Sequence, residues 1–109
     1  MPWDDDRAVY IQFDCSEFSS FCPVTGQPDY GSFRIAYIPS GRMIETKSLK
    51  LFLWSYRNRR SFNENLVNEI FEKINEQVQP EQLCVMGKFH ARGGISVTAS
   101  VGNYSLFHS

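Results

Sequence analysis

Residues 82–101, QLCVMGKFHARGGISVTASV, decide the fold. Leu83, Val85, Gly87 and Phe89 alternate with Cys84, Met86, Lys88 and His90. After Arg92-Gly93-Gly94, Ile95, Val97, Ala99 and Val101 alternate with Ser96, Thr98 and Ser100. A period of two belongs to a strand with one buried face, and two such runs around a glycine-containing turn predict an antiparallel hairpin. Upstream, residues 62–78 place Leu66, Val67, Ile70, Phe71, Ile74 and Val78 on one helical face. Ser61 and Glu64 have capping-box spacing at the start of that helix, and Pro80 stops it. Residues 45–57 predict a second helix, with Leu49, Phe52, Leu53 and Tyr56 as its apolar stripe and Lys47 and Lys50 off it.

The N-terminal part predicts another pair of strands. Val9, Ile11 and Phe13 alternate with Tyr10 and Gln12, and Phe33, Ile35 and Tyr37 share a face of the second run before Pro39-Ser40-Gly41 turns the chain. Between them lies CSEFSSFCPVTGQPDYG, whose prolines, glycines and polar residues predict a long irregular loop, and long ordered loops tend to carry function. The expected fold is α+β in the order ββααββ: one four-stranded antiparallel sheet with two helices on one face.

With 109 residues, 42% hydrophobic and 21% charged, the chain has the composition of an ordinary globular domain, expected to span 1–109. A disordered tail, a collagen and a coiled coil are excluded. No apolar run reaches the roughly 18 residues of a membrane helix. The start, MPWDDD, has neither the basic nor the apolar region of a signal peptide. The three cysteines are an odd number without a framework spacing, so a reducing cytoplasm is expected. A net charge of −1 gives no basic surplus for nucleic acid, so no direct nucleic-acid or membrane partner is expected. Aromatic residues make up 15%, more than a core this small needs, which points to a subunit interface or a flat ligand.

Cys22 is the best nucleophile candidate, since it sits in a polar, turn-rich stretch, with Asp29 beyond Gly26 and Pro28 where a bend can return a carboxylate toward the thiol. The ordinary alternative is a free loop cysteine with a solvated aspartate. Cys15 and Cys84 read as structural. Cys15, Cys22, Cys84, His90 and His108 lack zinc-ligand spacing, so no metal is expected. Lys47, Lys50, Lys88 and Arg92 are either solvated charges or phosphate holders, and no Rossmann or P-loop motif is present.

The stretches EFSSFCPVTGQPDYG, YIPSGRMIETKSLKLFLWSYRN and GKFHARGGISV resemble, in register, the QueF-type 7-cyano-7-deazaguanine reductases of queuosine biosynthesis. The similarity runs from about Tyr10 to about Tyr104, and the motifs C-P-x-T-G-Q-P-D and E-[SL]-K-[SA]-x-K are long and specific. The resemblance implies the tunnelling fold of the GTP cyclohydrolase I superfamily. It also implies a homo-oligomer, commonly pentamers stacked in pairs into a decamer, with sites between subunits. Cys22 then adds to the nitrile as a covalent thioimide and Asp29 supplies protons. Two NADPH-dependent reductions carry the carbon to 7-aminomethyl-7-deazaguanine. Ile44, Glu45, Thr46, Asn63 and Glu64 match positions that hold the small deazapurine substrate, with Glu64 on its N–H edge. Thr46, Lys47, Arg92 and Gly93 match NADPH contacts, with Lys50 and Lys88 beside them.

Two positions depart from the family pattern. Asn63 stands where histidine is usual, so a hydrogen-bonding group remains but not a proton carrier. Thr46 stands where serine or leucine is common. Two other readings use the same residues. One is an amidine-forming relative acting on the nitrile base within tRNA, which lacks the E-[SL]-K-[SA]-x-K motif. The other is a non-catalytic deazapurine-binding protein.

Overall fold

The structure is a computed structural model that describes residues 9–21, 28–56, 64–90 and 95–108, without the side chains of residues 17–21, 28–30, 64, 90 and 108. Its elements are β1 (Ile11–Phe21), β2 (Pro28–Ile38), α1 (Thr46–Trp54), α2 (Glu64–Val78), β3 (Gln82–His90), β4 (Ser96–Gly102) and a 3-10 turn (Tyr104–His108). The four strands form one antiparallel sheet in the order β1-β2-β3-β4. The expected ββααββ architecture is therefore present, with an additional turn at the end of the described chain.

The alternation read from sequence sets the register. Phe33 lies opposite Gly87, Ile35 opposite Val85 and Tyr37 opposite Leu83, all on the helix-covered face. Onto this face α1 lays Leu49 and Leu53, with Tyr56 just past its end, and α2 lays Leu66, Val67, Ile70 and Ile74. Ile35, Tyr37, Val67, Ile70 and Val85 are completely buried. Phe52, Phe71 and Val78 are only half-buried, at the margins of the two stripes. The opposite face carries Ala36 and Cys84, which Leu106 of the 3-10 turn covers.

The expected long loop needs correction. Both strands continue into it: β1 reaches Phe21 and β2 begins at Pro28, with Phe21 opposite Pro28. A shift of register between Cys15 and Phe18 marks a bulge in β1. The bulge breaks the period of two, which is why the pattern reads as irregular. Pro28 is tolerated as the first residue of its strand. What remains between the strands, residues 22–27, lies outside the described residues, as does Ser61 of the expected capping box.

At one end of the sheet the apolar face of β4 outruns its cover. Val97 is 44% and Ile95, just before the strand, 66% exposed, so the expected apolar row Ile95–Val101 is half-buried only from Ala99 onward. On α1, Leu51 and Trp54 are exposed as well.

Candidate active site

Two close approaches fix how α2 lies on the sheet. A side-chain carbon at Gly87 would meet Val67, and one at Gly102 would meet Phe71, while Gly102 pairs with Cys84. Hence α2 runs antiparallel to β3, starting over the Phe89 end. Glu64 opens the helix about 4.5 Å beyond the level of Val67. Asp29 lies opposite Ser20 on the same end of the β1–β2 hairpin, and Cys22 follows Phe21 directly in sequence. Arg92 and Gly93 belong to the link between His90 and Ser96, which pair at this end too. Topology thus gathers Asp29, Glu64 and the attachment points of the segments carrying Cys22, Arg92 and Gly93 at one end of the sheet. Cys22, Asn63, Arg92 and Gly93 themselves lie outside the described residues.

Ile44, Glu45 and Thr46 lie elsewhere. The Ile44 N–H donates to the Tyr37 hydroxyl at 2.9 Å, which places this segment beside the Tyr37 level of β2. A strand rises roughly 3.3 Å per residue, so about 20 Å separates the levels of Tyr37 and Gly31. Ile44 therefore stays well short of Asp29 and the start of α2 within a single chain, while Thr46 reaches the Asp14–Ser16 stretch of β1, opposite Arg34 and Phe33 and about 13–17 Å of strand from Asp29.

Glu45 acts as the N-cap of α1. One carboxylate oxygen accepts from the Lys47 N–H at 3.2 Å; the other accepts from the Ser48 N–H at 2.7 Å and the Ser48 hydroxyl at 2.8 Å. The Ser48 hydroxyl, followed by the Ser48 and Lys47 amides, holds the carboxyl below its ordinary range. Sequence reading missed this cap because glutamate is outside the preferred Ser/Thr/Asp/Asn set. The signal was Glu45 followed three residues later by a serine able to return a hydroxyl.

The E-T-K-S-L-K motif faces two ways. Ile44, Glu45, Ser48 and Phe52 line a cleft of about 650 Å³ against Lys73 and Gln77 of α2. Thr46 and Lys50 line another, of about 320 Å³, against Asp14, Cys15 and Trp54. There the Lys50 ammonium lies 4.8 Å from the centre of the Trp54 ring, a cation–π contact that orients it. Lys47 is exposed on the first turn of α1. Lys88 stands on the opposite face of the sheet, in a cleft of about 380 Å³ with Arg34, Ser32 and Thr98. Asp14, Cys15 and Ser16 border both of the smaller clefts, so these meet at the β1 bulge. Arg34 pairs with Asp14 at 3.1 Å, both side chains more than half exposed.

Burial raises the pKa of both described thiols. Cys15 is half-buried, with the Asp14 charge adding to the effect, and Cys84 is pushed up to about 11. Neither suits a nucleophile at neutral pH, in keeping with the structural reading of both. Among the described residues no group of three metal-ligating side chains gathers, and no helix is long and apolar enough to cross a membrane.

The family model of QueF-like proteins matches residues 28–105. Proteins named NADPH-dependent 7-cyano-7-deazaguanine reductase are similar to this chain over 84% of its length. The one from Streptococcus mutans is 49% identical over 92 residues, covering 57% of that protein. That from Streptococcus thermophilus is 51% identical, covering 56%, and that from Staphylococcus aureus is 47% identical, covering 55%. The chain spans little more than half the length of these relatives. A solved structure described as the apo form of the archaeosine synthase QueF-Like superposes with a TM-score of 0.78 at 24% identity, covering 92% of this chain and 96% of that one. That likeness concerns the fold. The chain belongs to the QueF-like family.

Proposed function

We propose that this chain carries the reductase chemistry of its relatives: NADPH-dependent four-electron reduction of 7-cyano-7-deazaguanine to the 7-aminomethyl base, in queuosine biosynthesis. The observation that carries the reading is the similarity at about half identity to reductases of that name, running through both the Cys22–Asp29 and the Glu45–Lys50 motifs. The tRNA-acting alternative lacks the second motif, and a net charge of −1 does not favour it.

In this reading the Cys22 thiol adds to the nitrile. An S–C bond forms, the triple bond becomes C=N, and the thiol proton ends on nitrogen, with Asp29 as carrier. Glu64 holds the N–H edge of the base, with Asn63 beside it. NADPH, when bound, supplies two hydrides to the former nitrile carbon. Between the two reductions the S–C bond breaks and Cys22 leaves as thiolate; one further proton on nitrogen completes the amine and another restores the thiol. The donor set on α1 fits a phosphate-bearing cofactor: Thr46 offers a hydroxyl and Lys47 and Lys50 offer ammonium groups, all exposed. Arg92, Gly93 and Lys88 would complete that hold.

Lys88 and the α1 lysines lie on opposite faces of one sheet, and Ile44 sits at the level of Tyr37, about 26 Å along the strand from Asp29. Both separations support sites completed between subunits of a homo-oligomer, pentameric or decameric. The open end at Ile95 and Val97 and the exposed Leu51 and Trp54 offer apolar surface for such seams. A cytoplasmic location follows from the small-molecule substrate and cofactor.

The test is consumption of NADPH with the free nitrile base, at two equivalents per amine formed. No oxidation over many turnovers sinks the reductase reading. Intact mass after adding the nitrile alone should gain one substrate on the wild type and nothing on Cys22→Ala; an unmodified wild type favours a binding protein. Asp29→Asn should slow the reaction more than it weakens binding.

A further inference from the structure

We propose that Tyr37 and Arg42 are positioning residues for the nitrile-base site, fixing the segment that presents Ile44, Glu45 and Thr46. The inference rests on the reading of those three residues as substrate contacts.

Tyr37 is completely buried in the centre of the sheet. A phenylalanine would fill nearly the same space with no hydroxyl to satisfy. The hydroxyl instead accepts from the Ile44 N–H at 2.9 Å, at the residue directly before the Glu45 cap. This bond is partly buried, where it is stronger than in water and costly to leave unmade. Arg42 supplies a second anchor from another direction. Its Nη1 donates to the Gln77 carbonyl at 3.0 Å, in the last turn of α2, where a cation suits both the orphan carbonyls and the helix dipole. Past Glu45 the chain is held by Leu49 and Leu53 in the core. The stretch from Arg42 to Thr46 is thus tied to a helix end, to a core strand and to the first turn of α1. It also forms one wall of the cleft that Ile44, Glu45 and Met43 share with Gln77.

Loss of either anchor leaves α1 seated on the sheet but frees the backbone before it. The effect falls on binding, because Cys22 and Asp29 belong to the other end of the strand pair.

The experiment measures the rate of Cys22 adduct formation against nitrile concentration for wild type, Tyr37→Phe, Arg42→Ala and Arg42→Lys, with Ile35→Val as a core control on the same strand. Tyr37→Phe and Arg42→Ala should raise the half-saturating concentration about fivefold or more, with the limiting rate within about twofold of wild type. Arg42→Lys, which keeps charge and donor, should fall between, and Ile35→Val should leave half-saturation unchanged. Amide hydrogen exchange supplies a readout without substrate: in Tyr37→Phe the Ile44 and Ser48 amides should exchange about tenfold faster or more, while those of central β3 stay protected. Unchanged half-saturation in both anchor variants, or unchanged exchange at Ile44, overturns the proposal. Should Tyr37→Phe fail to fold, the exposed Arg42→Ala decides alone, through its half-saturation and its Ile44 exchange. Should the wild type form no adduct, the substrate reading fails, and the exchange measurement still decides the anchoring.

Discussion

Gly87 leaves little room in the core, and Gly87→Ala should destabilise the protein although alanine is the better strand residue. The added carbon would stand 2.8 Å from Phe89 Cζ, 2.9 Å from Val67 Cγ2 and 3.0 Å from Phe33 Cε1. Carbon atoms prefer about 3.5–4.0 Å, so three side chains must each withdraw by about 0.5–1 Å. None has free space behind it: Phe33 is 2%, Val67 0% and Phe89 5% exposed, and the Phe33 and Phe89 rings already meet edge to face. Overpacking of this kind costs about 1–3 kcal/mol. Restricting the unfolded chain by replacing glycine returns about 0.5–1 kcal/mol. Packing wins, and the expected net loss is about 1–2 kcal/mol. The assay is urea unfolding followed by tryptophan fluorescence, at one fixed protein concentration because association would shift the midpoint. The double variant Gly87→Ala/Val67→Ala should show favourable coupling of about 1 kcal/mol, because the second change removes one of the three collisions. A Gly87→Ala protein as stable as wild type, or the absence of coupling with Val67, would refute the packing argument.

Gly102→Ala should cost more than Gly87→Ala, because φ is +105° there and the new carbon would run into the Leu83 carbonyl oxygen, which is backbone and cannot step aside; comparing urea midpoints ranks the two. The Glu45 cap predicts an acid dependence of stability. Its carboxyl is held below the ordinary 4.5, so its contribution is complete above that pH and is lost as pH falls through the lowered folded value. Glu45→Gln should flatten this acid limb in urea midpoints measured below pH 4.5, and an unchanged slope would mean the cap contributes nothing. Arg34→Ala should shift stability by less than about 0.5–1 kcal/mol, since both members of the Arg34–Asp14 pair are more than half exposed; a larger loss in the same assay would contradict that.

The helix-covered face was legible because its signals are periodic. The 3.6-residue stripe of α2 placed Leu66, Val67, Ile70 and Ile74 in the core, and the period-two run of β3 placed Leu83, Val85 and Phe89 there with them. Continuation of β1 past Cys15 was not legible. An edge strand takes its pairing from backbone hydrogen bonds with β2, so polar residues and a bulge leave no alternation to read. The 3-10 turn at Tyr104–His108 was missed because only Leu106 and Phe107 mark it, too short a pattern to carry a period. Motifs supplied the candidate site residues, but their separation within one chain is a property of topology. No local pattern says that α1 begins beside Tyr37 while α2 begins over Phe89. Nor does sequence reveal the Tyr37–Ile44 hydrogen bond, since a tyrosine in an apolar run looks like any other core ring.

The burial of two thiols has a practical corollary for chemical probing. Cys84 is covered by Leu106 and Cys15 is half-buried beside Asp14, so at neutral pH both are held almost wholly as the unreactive thiol. The fold thereby mutes two of the chain's three cysteines toward soft electrophiles. A haloacetamide or a nitrile warhead then meets little competition from them, and covalent labelling of the native protein without any substitution becomes a direct gauge of Cys22. Labelling that appears at Cys84 carries separate information, since it requires the final turn of the chain to lift from the sheet.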